Sequence, residues 1–353
     1  MEKRLVHQLA PGTGNPRNSE GDFARLSNGD ILFAYSRYSA GGQGDHSPCD
    51  IYYIRSRDEG ETWSEPTLMV SAASYGVENI MSVSSVEQKD GRIGFYYLIK
   101  EKDFTVTLGR SLTFDGEVFF SERCGFTCPP AYYTVNNDRI VRLKDGRLAA
   151  PASVFDLQGA TSSKGKNGTV TVLLSEDDGM NWHPADFMLG VDYTAAEKRG
   201  LQEPGLMEFE DRLWLFIRTG FGCQYQSTST EGINGFKTVE PTDFSSPRAP
   251  MQVKGFDGVL YAVYNPIPNY DGRLEAGGTA GRTPFVIRKS LDGGETWGSI
   301  NIIWDDPNRG YSYPALFQTR DGHLMIAHGM GGYEDGGNLC RIGITKLKLD
   351  TIE

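Results

Sequence analysis

Long hydrophobic runs are missing from this sequence, and no segment reaches the about 18 to 20 consecutive apolar residues that span a membrane. The first eight residues are basic and lack the apolar stretch of a signal peptide. We therefore expect no membrane partner and a cytoplasmic location, unless a leader was removed from the chain.

Positive charge is also in short supply. The chain has 35 Lys and Arg against 46 Asp and Glu, which gives a formal net charge of -11. Proteins that bind nucleic acids need a concentrated basic surface to neutralise phosphates. The sequence therefore predicts no nucleic-acid partner.

Cysteine is scarce and odd in number. The five are Cys49, Cys124, Cys128, Cys223 and Cys340. An odd set without paired spacing is typical of a reducing compartment. Cys124 and Cys128 have the spacing of half a zinc site, but no second Cys/His pair accompanies them, and structural zinc takes four ligands. We expect no metal and no organic cofactor.

Glycine, by contrast, is abundant, with 43 residues in a chain of 353. Six times an apolar stretch runs into a short polar turn, and a second apolar run follows. The turns are Asn28-Gly29, Asp90-Gly91, Asp145-Gly146, Glu210-Asp211, Asp257-Gly258 and Asp321-Gly322. Asn-Gly and Asp-Gly tolerate positive φ and make the tight hairpins that join antiparallel strands.

A second repeat alternates with these turns. Residues 56–63 and 290–297 fit the pattern S-x-D-x-G-x-T-W, and residues 175–182 fit it with Asn in place of Thr. Degenerate copies lie at residues 111–116 and 229–236. Regular repeats of strands and turns indicate a closed, radially repeated β-architecture.

The repeats predict an all-β chain with one domain over residues 1–353, because no helical periodicity, linker or low-complexity tract interrupts them. We expect a six-bladed β-propeller with four antiparallel strands in each blade. The last strand of the ring would come from Leu339–Leu349 or from the N-terminus.

The boxes resemble those of the Asp-box, or BNR-repeat, propellers, which are best known from the sialidases (neuraminidases). In the box, the Asp and Ser side chains bond backbone amides of the turn, and the Trp packs between strands. The resemblance implies a fold and not an activity, since Asp-box propellers also include polysaccharide hydrolases, receptors and assembly factors.

The inner strand of each blade begins near the axis, so the residues just before it should line a shared pocket. The rise per residue of a β-strand gives the number of residues between the turn and the axis. Counting back about nine residues from each turn gives six equivalent positions. They are Glu20, Ser82, Asn137, Glu203, Ala249 and Tyr313. Most are polar residues before an apolar strand, which is costly unless they face a wet cavity.

Two of these positions resemble catalytic residues of the sialidases. Tyr313, in Tyr311-Ser312-Tyr313-Pro314, is similar to the nucleophilic tyrosine of the family. Glu203, in Gln202-Glu203-Pro204, is similar to its glutamate. The resemblance implies that Tyr313 is the nucleophile and Glu203 its base, since a neutral phenol needs a neighbouring base.

Substrate-binding and acid/base residues are implied in the same way. Arg218 and Arg282 resemble two arginines of the triad that holds the sialic-acid carboxylate, and two arginines can grip a carboxylate with paired hydrogen bonds. Arg37 resembles a further substrate-binding arginine, and Asp45 the acid/base aspartate, with Asp50 as the nearby competitor.

The first arginine of the family triad has no counterpart. Glu20 or Asp22 stands in its place, and an alternating strand would put both on one face. Either Arg17 compensates, or Glu20 binds sugar hydroxyls. The substitution predicts weak or absent cleavage of simple sialosides and better activity on another sugar.

The sequence as a whole therefore predicts a sialidase-like, retaining exo-glycoside hydrolase that cleaves a terminal acidic sugar. Two alternatives remain open: a catalytically silent carbohydrate-binding propeller, and an enzyme for a different acidic sugar, such as a uronic-acid lyase or hydrolase. The sequence does not identify the sugar, the linkage or the oligomeric state.

Overall fold

A computed structural model describes residues 1–39, 41–155, 167–192, 199–267 and 279–353. These residues form 26 β-strands and four short 3-10 helices, at Ala72–Tyr75, Ile233–Gly235, Tyr333–Asp335 and Leu349–Thr351. No helix in these ranges has the length and apolar character needed to span a membrane.

The strands of the first half of the chain are β1 Lys3–Leu9, β2 Arg17–Arg25, β3 Ile31–Tyr38, β4 Cys49–Ser56, β5 Thr67–Val70, β6 Asn79–Glu87, β7 Ile93–Lys100, β8 Val106–Thr113, β9 Phe120–Arg123, β10 Gly125–Phe126, β11 Tyr132–Thr134, β12 Val141–Arg142 and β13 Leu148–Phe155. Those of the second half are β14 Thr169–Ser175, β15 Asn181–Pro184, β16 Gln202–Phe209, β17 Arg212–Arg218, β18 Cys223–Ser229, β19 Glu240–Ser245, β20 Gln252–Phe256, β21 Val259–Tyr264, β22 Phe285–Ser290, β23 Asn301–Trp304, β24 Ser312–Gln318, β25 His323–Gly329 and β26 Ile342–Lys348. Each of the six predicted turns lies between two antiparallel strands.

Three of the sheets have four strands. Two follow the chain in order, β16-β17-β18-β19 and β20-β21-β22-β23. The third has the order β1-β26-β25-β24, and Lys3 pairs with Leu347 across its outer ladder. The first strand of the chain therefore completes the sheet formed by the last three, which confirms that the N-terminus supplies the final strand.

The other two sheets are larger. One has the order β10-β15-β14-β13-β11, with β12 also on β13. The other has eight strands, β2-β3-β4-β6-β7-β8-β9 with β5 on β4, and a single parallel pair, Cys49 with Asn79, joins β4 to β6. The all-β propeller is confirmed. The described strands form five sheets, so the count of six blades stays a prediction.

The Asp boxes are structural, as predicted. In the first box the Ser56 hydroxyl donates to Asp58 Oδ1 at 2.9 Å and accepts from the Gly60 amide at 2.8 Å. The boxes at residues 175–182 and 290–297 repeat both contacts. None of these residues lines the main cavity described below.

Four innermost strands share a local distortion near the axis. The pairing register shifts between Ser19 and Asp22, Met81 and Ser84, Gln202 and Gly205, and Ser312 and Ala315. Inside each shift one residue has positive φ: Glu20 at 53°, Ser82 at 61°, Glu203 at 44° and Tyr313 at 52°. A bulge of this kind re-aims a side chain, and such backbone is found mostly where function requires it.

The two remaining axial positions also have positive φ, but there the residue lies before the inner strand and not within it. Asp138 has a φ of 57° and Arg248 a φ of 49°, shortly before the inner strands β12 and β20. The equivalent positions predicted there were Asn137 and Ala249, so both predictions are wrong by one residue. Counting along an ideal strand cannot locate a bulge within a residue.

Candidate active site

A cavity of about 190 Å³ lies where all five sheets converge. Its polar lining consists of Glu20, Asp45, Ser82, Lys100, Tyr132, Thr134, Asn136, Arg199, Gln202, Glu203, Arg218, Arg282 and Tyr313. Met81, Leu98, Phe155 and Leu339 supply its apolar wall. Concave sites with a few convergent polar groups are the usual places where proteins bind small molecules.

Tyr313 and Glu203 are in direct contact in this cavity. The Tyr313 hydroxyl donates to Glu203 Oε1 at 2.9 Å, although the two residues belong to different sheets. The Glu203 amide in turn donates to Ser153 Oγ at 2.6 Å, which anchors the bulge. The structure thus brings together the phenol and the carboxylate that the sequence analysis paired.

Arg218 and Arg282 flank this pair. Arg218 Nη1 donates to the Glu203 carboxylate and lies 3.4 Å from the Tyr313 hydroxyl. The Arg282 guanidinium lies 5.4 Å from the centre of the Tyr313 ring. Within the described part of the chain, Arg218 Nε and both Nε and Nη1 of Arg282 have no hydrogen-bond partner. These three nitrogens are buried, so the two guanidiniums flank the pair with part of their hydrogen-bonding capacity unused.

The charges set the protonation of the pair. Burial by itself raises the pKa of Glu203, but Arg218 and Arg282 outweigh it and hold that pKa below its usual value. Burial raises the pKa of Tyr313, and the Glu203 carboxylate raises it further, which the two arginines offset only in part. An ionised carboxylate thus faces a neutral phenol, as a base faces a nucleophile before reaction.

Glu20 and Asp45 form a second group, joined by Arg17. Arg17 Nη2 lies 3.0 Å from Glu20 Oε1, and its Nη1 lies 2.9 Å from Asp45 Oδ1. Arg17 is only 2% exposed and is not part of the cavity lining. Arg17 therefore lies behind the wall and holds two carboxylates that do face the cavity, and its role in substrate binding stays a prediction.

Of Glu20 and Asp22, the two residues that the sequence analysis aligned with the first arginine of the family, only Glu20 lines the cavity. Its carboxylate accepts from Ser82 Oγ as well as from Arg17. Burial raises the pKa of Glu20, and the neighbouring Asp45 and Glu203 add to this, while Arg17 opposes it. The cavity therefore offers a carboxyl group where a triad arginine would offer a cation.

Asp22 does not accompany Glu20 into the cavity. Its carboxylate accepts from the amides of Phe23 and Ser85, each at 2.7 Å, and it is 1% exposed. The expectation that Glu20 and Asp22 share a face is wrong, because the register shift between Ser19 and Asp22 breaks the strand alternation.

Arg37 and Asp50 also lie outside the cavity lining. The Arg37 guanidinium lies over the Tyr52 ring, 4.6 Å from its centre. In the backbone register of β3 and β4, Arg37 lies opposite Asp50. Asp50 Oδ1 accepts from the Ala72 amide at 2.7 Å at the start of a 3-10 turn. Arg37 lies on the second strand of its sheet, outside the lining, and its role in substrate binding stays a prediction. Of the two aspartates, only Asp45 lines the cavity.

Lys100 is a cavity residue that the sequence analysis missed. It ends β7, is 5% exposed, and donates from Nζ to the main-chain oxygen of Asp45 at 2.6 Å. Its ammonium lies 5.6 Å from the centre of the Tyr132 ring. Burial lowers the pKa of Lys100 to about 8. A lone lysine at the end of the apolar run Ile93–Lys100 was the available signal, because a buried charge requires a partner.

Within the described ranges, no group of three or more His, Cys, Asp and Glu side chains is arranged to hold a metal ion.

Comparison with known proteins adds a family. The model of the BNR repeat-like domain matches residues 129–326 of this chain. No curated protein matches the sequence.

Solved structures resemble the whole chain at low sequence identity. A protein of unknown function from Dyadobacter fermentans has a TM-score of 0.71 and 17% identity, and the match covers 98% of both chains. The NanB sialidase from Streptococcus pneumoniae has a TM-score of 0.70 and 14% identity, over 99% of this chain and 71% of that one. The sialidase of Trypanosoma rangeli, solved with sialic acid, has a TM-score of 0.66 and 12% identity, over 97% and 55%. At these identities the likeness shows the fold alone.

Proposed function

This chain belongs to the BNR repeat-like family within the sialidase superfamily of β-propellers, and from that premise we propose that it is a retaining exo-glycoside hydrolase for a terminal acidic sugar. The observation that carries the proposal is the hydrogen bond from Tyr313 to Glu203 in a cavity with two arginines. Tyrosine is the nucleophile in sialidases, in contrast to most other glycosidases.

The first chemical step uses Tyr313 and Glu203. The Tyr313 oxygen attacks the anomeric carbon while its proton passes to Glu203 Oε1, 2.9 Å away. The bond to the leaving group breaks at the same carbon, and a covalent tyrosyl glycoside forms. Arg218, which contacts both residues, keeps Glu203 ionised and stabilises the phenolate character that develops on the nucleophile.

Asp45 serves as the acid/base residue in this scheme. It lines the cavity, and its side chain is 32% exposed, so it can reach an aglycone that projects to solvent. Asp45 protonates the leaving oxygen in the first step. In the second step Asp45 takes a proton from the water that attacks the anomeric carbon. The bond to the Tyr313 oxygen breaks at the same carbon, and Glu203 returns its proton to that oxygen.

The cavity charge favours an acidic sugar. The lining carries four cationic side chains, Lys100, Arg199, Arg218 and Arg282, against three carboxyl groups, although the whole chain is acidic. The guanidiniums of Arg218 and Arg282 both line the cavity, and paired arginines suit a carboxylate. Because of Glu20, the site differs from one in which three arginines bind the ligand carboxylate. The Glu20 carboxylate suits a sugar that has a hydroxyl group next to it.

A specific observation supports the second candidate, an enzyme for an acidic sugar other than sialic acid. Two unit charges of like sign about 4 Å apart repel by up to about 4 kcal/mol at an effective dielectric of about 20. A carboxylate at the anomeric carbon, held close to Tyr313, would experience this repulsion from Glu20. We therefore propose weak or absent cleavage of simple α-2,3 and α-2,6 sialosides.

Tyr313→Phe tests the proposed function. The variant should lose turnover of 4-nitrophenyl glycosides of acidic sugars by at least about a thousandfold, because no nucleophilic oxygen remains. Its fold and sugar binding should persist, as checked by circular dichroism and calorimetry. Near-normal kcat in the variant would rule out Tyr313 as the nucleophile. Binding without turnover by the wild type would favour a silent carbohydrate-binding propeller.

We also propose that the propeller has six blades. The eight-stranded sheet divides at its single parallel pair into β2–β5 and β6–β9. Each of the six resulting units contains one axial residue of positive φ. A crystal structure with five or seven blades would contradict this count.

A further inference from the structure

The loop that carries Asp45, residues 41–48, has little structure of its own. It begins with Gly41 and Gly42, whose φ values are 141° and 146°. Within it, the Ser47 amide donates to the Gly44 carbonyl at 2.9 Å. A carboxyl group on such a loop needs external contacts to keep a fixed position.

Three buried side chains supply these contacts, and each bonds a different main-chain carbonyl of the loop. Arg17 Nη1 donates to the Gln43 carbonyl at 2.9 Å. Lys100 Nζ donates to the Asp45 carbonyl at 2.6 Å, and Asn79 Nδ2 donates to the Ser47 carbonyl at 2.6 Å. The three side chains are at most 5% exposed. Alternate carbonyls of the loop are thus fixed from the buried side.

Lys100 differs from the other two donors. Arg17 also binds Glu20, Ser19 and the Asp45 carboxylate, so changing it alters the acid directly. Asn79 binds a carbonyl two residues beyond Asp45. Lys100 alone of the three holds the main-chain carbonyl of Asp45, and it lines the cavity. Its contact therefore fixes the main chain of Asp45 and leaves the carboxyl group itself untouched.

We propose that Lys100 is a positioning residue that fixes Asp45 for proton transfer to the leaving group. The inference rests on the proposed function, because it gives Asp45 the role of acid. Lys100 itself makes no bond to the reacting atoms. Removing it should impair the step that needs the acid and spare the steps that do not.

Leaving-group dependence distinguishes this role from a general structural one. The test compares a 4-nitrophenyl glycoside, whose leaving group needs little protonation, with the methyl glycoside of the same sugar, which needs the acid. The sugar is whichever of N-acetylneuraminic and glucuronic acid the wild type cleaves. For Lys100→Met we expect KM to rise equally on both substrates, because a cavity cation is lost, and kcat on the methyl glycoside to fall about 10- to 100-fold more than kcat on the nitrophenyl glycoside.

Two further variants serve as controls. Lys100→Arg keeps the cation and the donor and should stay within about threefold of wild type on both substrates. Lys102→Met makes the same change at an exposed lysine on the neighbouring turn and should have no effect. An equal loss of kcat on both substrates in Lys100→Met, or no loss of kcat on either, would overturn the inference.

Asp45→Asn separates this inference from the proposed function. If Asp45 is the acid, this variant shows the same selective loss, and adding Lys100→Met to it causes no further selective loss, because no acid remains for Lys100 to position. If Asp45→Asn and Tyr313→Phe both remain active, the proposed function fails. If Asp45→Asn shows selective loss and Lys100→Met does not, only the role of Lys100 fails.

Hydrogen exchange gives a reading that needs no substrate. Amides of residues 41–48 should exchange faster in Lys100→Met than in Lys102→Met, while the strands keep their protection. Unchanged exchange in this loop would contradict the inference. Should Lys100→Met fail to fold, Lys100→Gln removes the charge and takes its place in both measurements.

Discussion

Glu20 is held at the cavity wall by two donors, Arg17 and Ser82, so its carboxyl group has a fixed position. A ligand carboxylate bound by Arg218 and Arg282 would share the cavity with it. An ionised Glu20 therefore repels a carboxylate of the ligand beside it and favours a ligand hydroxyl group at that place.

Glu20→Gln should improve the binding of N-acetylneuraminic acid about tenfold, because it removes a like charge without adding bulk. Asp22→Asn is the matched control and should change nothing, since Asp22 is bonded to Phe23 and Ser85 outside the cavity lining. Titration calorimetry of the three proteins measures both effects.

The same titration at several pH values gives a second reading. The pKa of Glu20 lies above its ordinary value, so the carboxylate is neutralised as pH falls through that raised pKa. Wild-type binding should therefore tighten as pH falls, and Glu20→Gln should show less of this change. Equal pH slopes, or tight wild-type binding unchanged in both variants, would restore a plain sialidase.

At the scale of the element, the bulges near the axis determine which side chains reach the cavity. The bulge at Glu20 is followed at once by Gly21, where an added Cβ would lie 2.4 Å from the Ala34 carbonyl oxygen and 2.5 Å from the Phe33 ring. The glycine thus allows β2 and β3 to approach each other closely while the chain turns Glu20 inward.

Gly21→Ala should lower the free energy of unfolding by about 1 to 3 kcal/mol, because a methyl group must be forced between packed backbone and ring atoms. It should also weaken sugar binding, since Glu20 is displaced. Chemical denaturation and calorimetry measure the two effects. Gly12→Ala is the control, because nothing lies within 4 Å of the added Cβ there. Equal stability of the two variants would show that the bulge tolerates a side chain.

Sequence reasoning worked well for the hairpins and less well for the bulges between them. The six turns were found because Asn-Gly and Asp-Gly mark a local backbone conformation. Glu20, Glu203 and Tyr313 were placed correctly at the axis because a polar residue before an apolar strand is a local signal as well. Asp22 was misplaced because a bulge reverses the strand alternation and leaves no mark in the sequence.

The contacts of Asp45 could not be predicted from the sequence, for a different reason. Arg37 precedes Asp45 closely in the chain, whereas Arg17 reaches it from the neighbouring strand β2. Lys100 reaches the same loop from β7. Contacts between residues far apart in sequence depend on the packing of whole sheets, which spacing along the chain does not encode.

At the scale of the molecule, closure depends on β1. This strand pairs with β26 from Lys3 to Leu9, and it packs Leu5 and Leu9 onto the hydrophobic cores of the last sheet. Without it, β26 becomes an open edge with unpaired amides and carbonyls, and such edges recruit other chains.

Deletion of residues 1–9 should lower the free energy of unfolding by about 3 kcal/mol or more, from the lost apolar burial alone. The shortened chain should also self-associate through the bare edge of β26, as seen by size-exclusion chromatography with light scattering. A synthetic peptide of residues 1–10 added in excess should restore stability and the state of the full chain. A shortened protein as stable as the full chain would mean that β1 contributes nothing to closure.

The pairing of β1 with β26 also has a consequence for synthesis. A ribosome makes β1 before its partner β26, with more than 300 residues between them. Until β26 has been synthesised, β1 has no strand to pair with, and nascent chains aggregate through unpaired strands. The sequence of β1 opposes such aggregation, because Lys3 and Arg4 are exposed and charged. Charged side chains on an unpaired strand discourage pairing with other chains. Chaperone demand should therefore rise if both are replaced by apolar residues, even though the finished propeller would tolerate them.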